Sequence, residues 1–231
     1  MFMRAVIGSI LSLWMAAAAA WAGERPVVIE LYTSQGCSSC PPADAFLAEL
    51  AQRDDVIALA LHVDYWDYIG WKDIFANPGF TARQKAYARA AGARTVYTPQ
   101  MVIGGVDHVV GLQPMQVADL IAAHRAAPSP VELGVERREG GFVVRARSAK
   151  PGPMRVQLVR YLPEKTVQIK RGENSGRTLR YSNIVTEWRA LADWDGTAPL
   201  ELAVQAGGEQ PAVVLVQRHG PGRILAAARL R

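Results

Sequence analysis

Two cysteines three positions apart, Cys37 and Cys40, are the residues best suited to chemistry, in the run Gly36-Cys37-Ser38-Ser39-Cys40-Pro41-Pro42. A thiolate attacks a disulfide sulfur, and a second thiol within reach displaces the mixed disulfide that results. The spacing suits that division of labour, with Cys37 as nucleophile and Cys40 as resolving thiol. The chain of 231 residues has two cysteines in all, too few for a four-thiolate zinc site. A disulfide kept only for structure would close a loop of about four residues and stabilise by about 2 kcal/mol, little for a chain this long. Thiol–disulfide exchange is the chemistry the pair favours. A locked disulfide and soft-metal binding are the alternatives.

The flanking residues must place the pair. Residues 27–32, Val-Val-Ile-Glu-Leu-Tyr, form a β-branched run that reads as a buried strand interrupted by one acid. A turn, Thr33-Ser34-Gln35-Gly36, leads into the cysteines. Beyond them Ala43, Phe46, Leu47, Leu50 and Ala51 recur at intervals of three and four, the apolar face of a helix. The motif therefore lies at a strand-to-helix turn. There, unpaired amides and the positive end of the helix dipole favour a thiolate on Cys37. Ser38 and Ser39 add hydroxyl donors, and Pro41 and Pro42 lack N–H groups at a point where the helix does not need them. Exchange also requires that the pair reach solvent and lie beside a groove that accepts a peptide.

Further along, residues 56–63 read as a second buried strand, and Asn77-Pro78 opens a helix that Gly92 ends. Strands 100–103 and 106–110 flank Gly104-Gly105 as a hairpin. A helix over 114–127 carries Val117, Leu120, Ile121 and His124 at core spacing. The order is βαβαββα, with the first two strands parallel and joined by a right-handed crossover. Residues 126–130, Ala-Ala-Pro-Ser-Pro, read as a linker. Beyond it the period changes to two, with about eight short strands at 131–136, 142–147, 154–162, 165–170, 183–191, 200–205, 212–218 and 223–229. The expected architecture is an α/β unit over 24–127 followed by an all-β, antiparallel sandwich-like unit over 131–231.

The first 22 residues read as a secretory signal peptide: Arg4, an uncharged stretch, then Ala20-Trp21-Ala22 before Gly23. Export, to the periplasm, is the expectation, with no membrane span after cleavage. Half of the residues are apolar and 20% are charged, which excludes a disordered or fibrous chain. Residues 24–129 hold 8 basic and 11 acidic side chains; residues 130–231 hold 17 and 10. Such an asymmetry suggests halves that attract each other. No basic run exceeds two residues, so nucleic acid is not an expected partner.

A CxxC at a strand-to-helix turn in a βαβαββα order resembles the thioredoxin superfamily over residues 27–127. The resemblance implies a cis-proline facing the dithiol at Thr98-Pro99, able to pair with an extended substrate. It also implies a buried acid assisting proton transfer, for which Glu30 stands closest. The chain departs from that pattern in having Gln35-Gly36 before the thiols and one residue more between Glu30 and Cys37. The wording Gly36-Cys-Ser-Ser-Cys-Pro-Pro-Ala-Asp44, with His62-Val-Asp-Tyr-Trp-Asp-Tyr68, is more similar to an uncharacterised family of secreted bacterial thioredoxin-like proteins.

The expected function is exported thiol–disulfide oxidoreductase acting on protein or small-molecule thiols, with no cofactor and no metal. A non-catalytic binding protein, or a copper-handling one using the cysteines and a histidine such as His62, is the alternative. His62, Asp64 and Trp66 are candidate modulators of the thiols. The aromatic loop 65–71 reads either as a ligand site or as a plug between the units. The loop 171–177, with Arg171, Glu173, Asn174 and Arg177, would clamp an anion or dock on acids of the first unit, or else lie solvated.

Overall fold

Strand β1 (Val27–Thr33) and strand β2 (Val56–His62) are buried along their whole length, as near-continuous apolar runs flanked on both faces must be. They pair in parallel, with Thr33 beside His62. Helix α1 (Pro41–Leu50) connects them. Helix α2 (Pro78–Ala90) starts at Asn77, whose side chain accepts from the amide of Gly79 at 2.8 Å. Strands β3 (Gln100–Ile103) and β4 (Asp107–Val110) form the expected hairpin, and β3 runs antiparallel to β1. Helix α3 (Pro114–Ala126) follows. The computed structural model describes residues 25–205 and 208–230; the expected signal segment lies outside them. No helix among the described residues is long and apolar enough to cross a membrane.

The second half supplies β5 (Val131–Arg138), β6 (Gly141–Ser148), β7 (Met154–Gln168), β8 (Thr178–Trp194), β9 (Leu200–Gln205), β10 (Ala212–Arg218) and β11 (Ile224–Leu230). Four of these strands, β7, β8, β10 and β11, join the sheet of the first half. A mixed eight-stranded sheet runs in the order β11-β10-β7-β8-β2-β1-β3-β4, and β5-β6-β9 form a second, antiparallel sheet. The linker at 126–130 therefore changes the local structure without dividing the sheets. Beside β2, Ile184 of β8 pairs with Ala60, and the Asn183 side chain donates to the Ala58 carbonyl at 2.8 Å. Asn183 is left-handed, with φ 49°, a conformation asparagine tolerates.

Packing follows the same plan. On one face of the large sheet Ile29, Leu31, Met101 and Ile103 bury against Ala43 and Leu47 of α1 and Val117 and Ile121 of α3. On the other, Val28, Tyr32, Leu59, Leu61, Phe80 and Tyr87 share one core with Val159, Val185, Val213 and Leu215. A third core lies between the sheets, where Phe142, Val144, Ala146 and Val204 meet Val156, Leu158, Val214 and Val216. The expected mutual attraction of charges is a minor part of the join: Arg229 reaches across, but to the carbonyl oxygens of Asp54 and Val56.

Two expected strands, 154–162 and 165–170, are one. Pro163 does not break β7 because β10 pairs only as far as Arg160. Beyond that point one edge of β7 is open, and a residue without an N–H loses nothing there.

Candidate functional site

The turn between β1 and α1 is built from its own backbone. The Ser34 hydroxyl oxygen accepts from the amide of Gly36 at 3.1 Å, and its carbonyl accepts from that of Cys37 at 3.2 Å. Cys37 and Cys40 are joined as a disulfide with Cα atoms 5.4 Å apart. Cys40 is the N-cap of α1 and already has helical angles, φ −77° and ψ −35°, so Cys40 and Asp44 lie one turn apart on one face.

The accessible sulfur that exchange chemistry leads one to expect is not there. Ser38 and Ser39 are exposed, but Cys37 keeps 3% of its surface and Cys40 none. The tip of the long β7–β8 hairpin, residues 171–177, is bonded to the backbone of this turn. Asn174 is 1% exposed, and its amide donates to the carbonyl oxygens of Gln35 and Cys37, both at 2.9 Å. Its own oxygen accepts from Arg177 at 3.0 Å. Glu173 Oε2 accepts from the amide of Ser38, the residue after Cys37, at 3.3 Å. Gly172 has φ +75°, and a Cβ there would lie 3.1 Å from that of Trp71, so only glycine lets the tip sit so close. The loop thus docks, as one expectation had it, but through an amide and a carboxylate on backbone groups; the first unit's acids are not what it meets.

Beneath the pair lies a buried polar cluster. His62 Nδ1 is 2.7 Å from Asp73 Oδ2, and the same oxygen accepts from the amide of Gln35 at 2.8 Å. Phe75 and Tyr181 pack edge-on to the imidazole, with centroids 5.2 and 5.0 Å away. His62 Nε2 and the Tyr181 hydroxyl are buried without a hydrogen-bond partner, and the buried Asp44 carboxyl has the Thr33 hydroxyl beside it. Burial pushes the Asp44 carboxyl up to about 7; the nearby His62 and a hydrogen bond from the Thr33 hydroxyl work against the shift, and Asp73 adds to it. Burial, and then Asp44 and Asp73, push the Tyr181 phenol well up.

Glu30 does not serve the site. Ile29 and Leu31 face α1, so alternation turns Glu30 to the opposite face. There its carboxylate is held by Arg83 at 2.7 and 2.8 Å and by the hydroxyls of Tyr32 and Tyr87 at 2.9 and 2.7 Å. Asp64 is also engaged elsewhere, accepting from the Thr81 hydroxyl at 2.6 Å. His62 is at the site. The Thr98–Pro99 peptide is cis, and Trp66 links it to the cysteine turn. The indole donates to Thr98 Oγ1 at 2.7 Å, and a Cβ on Gly36 would lie 3.3 Å from that of Trp66. Within the aromatic loop Trp71 donates to Gln35 Oε1 at 2.8 Å, whereas Tyr68 is 80% exposed and stacked on Trp66.

Asp44, Asp73 and Tyr181 are the functional candidates that motif reading missed. Asp44 left a signal: it is an acid among the buried positions Ala43, Leu47 and Leu50 of its helix, where charge is costly. Among the described residues no group of three or more His, Cys, Asp and Glu side chains is arranged to hold a metal ion.

Residues 28–217 match the family described as "Protein of unknown function (DUF1223)". A crystal structure of a protein from Agrobacterium tumefaciens is 32% identical, with a TM-score of 0.78, covering 90% of this chain and 96% of that one. HBP35 of Porphyromonas gingivalis shares the fold at 14% identity, with a TM-score of 0.62, covering 90% of this chain and 75% of that one. None of the curated proteins matches.

Proposed function

The chain belongs to the DUF1223 family, whose function is unknown, and from that premise we infer that it is an exported thiol–disulfide oxidoreductase with a thioredoxin-like site. The observation that carries the reading is the disulfide at the mouth of α1 with the buried Asp44 carboxyl one turn behind it. Attack falls on Cys37 because it is the less buried of the two sulfurs, 3% exposed against none for Cys40. An incoming thiolate would form a mixed disulfide with Cys37 and leave Cys40 as the departing sulfur. Asp44, with a proton affinity near neutrality, is suited to give that sulfur a proton and to take it back when Cys40 resolves the mixed disulfide. The cis peptide at Thr98–Pro99, tied to the cysteine turn through Trp66, supports substrate docking on that side.

Burial of both cysteines favours one competing reading, a permanent disulfide in a non-catalytic binding protein. The two differ in reactivity. Incubated folded with dithiothreitol and then with oxidised glutathione, a redox pair cycles between dithiol and disulfide with no change in secondary structure. A permanent disulfide is reduced only after denaturation, and that result would end the oxidoreductase reading. Copper handling would need the reduced cysteines together with Nε2 of His62, and metal analysis of the freshly reduced protein separates that reading.

A further inference from the structure

We propose that the tip of the β7–β8 hairpin is a redox-linked gate, closed over the Cys37–Cys40 disulfide and released on reduction by repulsion between the Cys37 thiolate and the Glu173 carboxylate. The proposal rests on the thiol–disulfide reading above and concerns what controls access to that pair.

The closed form hangs on few contacts. Of residues 171–177 only Asn174 is buried. It holds the carbonyls of Gln35 and Cys37 while Glu173 holds the amide of Ser38. Gly172 and Gly176, at φ +75° and +82°, stand on either side of Glu173-Asn174-Ser175, so the segment is bounded by residues that change conformation without steric cost. The remainder of the tip is solvated and adds little burial to keep it down.

Charge makes the contact depend on redox state. In the disulfide the sulfurs are neutral, and the Glu173 carboxylate meets an amide donor at the positive end of α1. Reduction by a dithiol breaks the S–S bond; two electrons and two protons pass to the sulfurs while the donor closes to its own disulfide. The Cys37 thiol then loses its proton to water, giving a thiolate that needs the donors and dipole Glu173 occupies. Two anions now compete for one helix mouth. The other titratable groups around the turn are Asp73, Asp44 and His62 beneath, and Arg171 and Arg177 of the tip, the last bonded to Asn174. Reduction therefore weakens the Glu173 contact, and the closed tip protects the disulfide until it is used.

Hydrogen exchange at pH 8, read by mass spectrometry on peptides spanning residues 169–178 of the full mature chain, tests this. On reduction with dithiothreitol, exchange in the tip rises about tenfold, the response expected for like charges in contact near a surface. In Glu173→Gln the rise falls below about threefold because the repelling charge is gone. The double variant Cys37→Ser, Cys40→Ser, with neither crosslink nor thiolate, keeps a tip as protected as the oxidised parent. Equal protection of the parent in both states overturns the gate, and so does an open tip in the double serine variant. A parent that still cycles with glutathione while its tip stays shut leaves the thiol–disulfide reading standing. A pair that dithiothreitol cannot reduce in the folded protein overturns both.

Discussion

The side-chain amide of Asn174 donates to the carbonyl oxygen of Cys37 at 2.9 Å across 137 residues of chain. One buried side chain from the second half thereby fixes the turn that carries the disulfide, and a second bond to Gln35 fixes its approach.

Asn174→Ala leaves both carbonyls beneath the tip without their donor. The loss is about 1–3 kcal/mol of folding stability, measured by urea unfolding of the oxidised protein. The same variant is reduced by dithiothreitol faster than the parent. A variant as stable and as slowly reduced as the parent would show that the tip is not what shields the cysteines.

Asp44 makes stability depend on pH with a definite sign. Its carboxyl keeps its proton in the folded chain up to about pH 7, against an ordinary value of 3.8 in the unfolded one. Between those values the folded state binds more protons, so stability is full below about pH 4 and falls as pH rises through 7. The loss approaches about 4 kcal/mol at its limit. Asp44→Asn removes it, so the variant gains on the parent at pH 8 and is close to it at pH 4. Unfolding curves at the two pH values check this; a gain at pH 4 that vanishes at pH 8 has the wrong sign.

Glu30 is structural, on the face of the sheet away from the cysteines. Glu30→Gln strands the Arg83 charge, which is 13% exposed, and costs about 3–5 kcal/mol. At a temperature where the variant is folded, its exchange rate with glutathione matches that of the parent. A large fall in that rate would return Glu30 to the proton path.

Residues 25–129 expressed alone do not reach the native fold, although the linker resembles a domain boundary. The core around Val28, Tyr32, Leu59 and Leu61 loses Val159, Val185, Val213 and Leu215, and β2 loses its neighbour. Near-ultraviolet circular dichroism of the fragment shows little fixed aromatic packing; a cooperatively unfolding fragment would establish an autonomous unit.

Much of the local structure was legible because it is periodic. The runs at β1 and β2, the three- and four-residue spacing of α1 and the Gly104-Gly105 hairpin all declare themselves within a few residues. What joins the halves does not. The pairing of β8 with β2 and the grip of Asn174 on the cysteine turn connect residues more than 120 positions apart; the loop 171–177 stood out by its composition, but nothing in it named the backbone it holds. The extra residue between Glu30 and Cys37 carried information, because strand alternation makes such a shift a change of face. Asp44 was visible as an acid on a buried helical face, although the apolar pattern around it drew the eye elsewhere.

The oxidoreductase claim is tested most directly by trapping. The Cys40→Ser variant, folded and incubated with oxidised glutathione at pH 8, is weighed by intact mass spectrometry. Cys37 attacks the glutathione disulfide, expels one glutathione and retains the other as a stable adduct, whereas the reduced parent resolves the adduct to its own disulfide and Cys37→Ser stays largely unmodified. A Cys40→Ser protein that remains unmodified while folded would contradict the account.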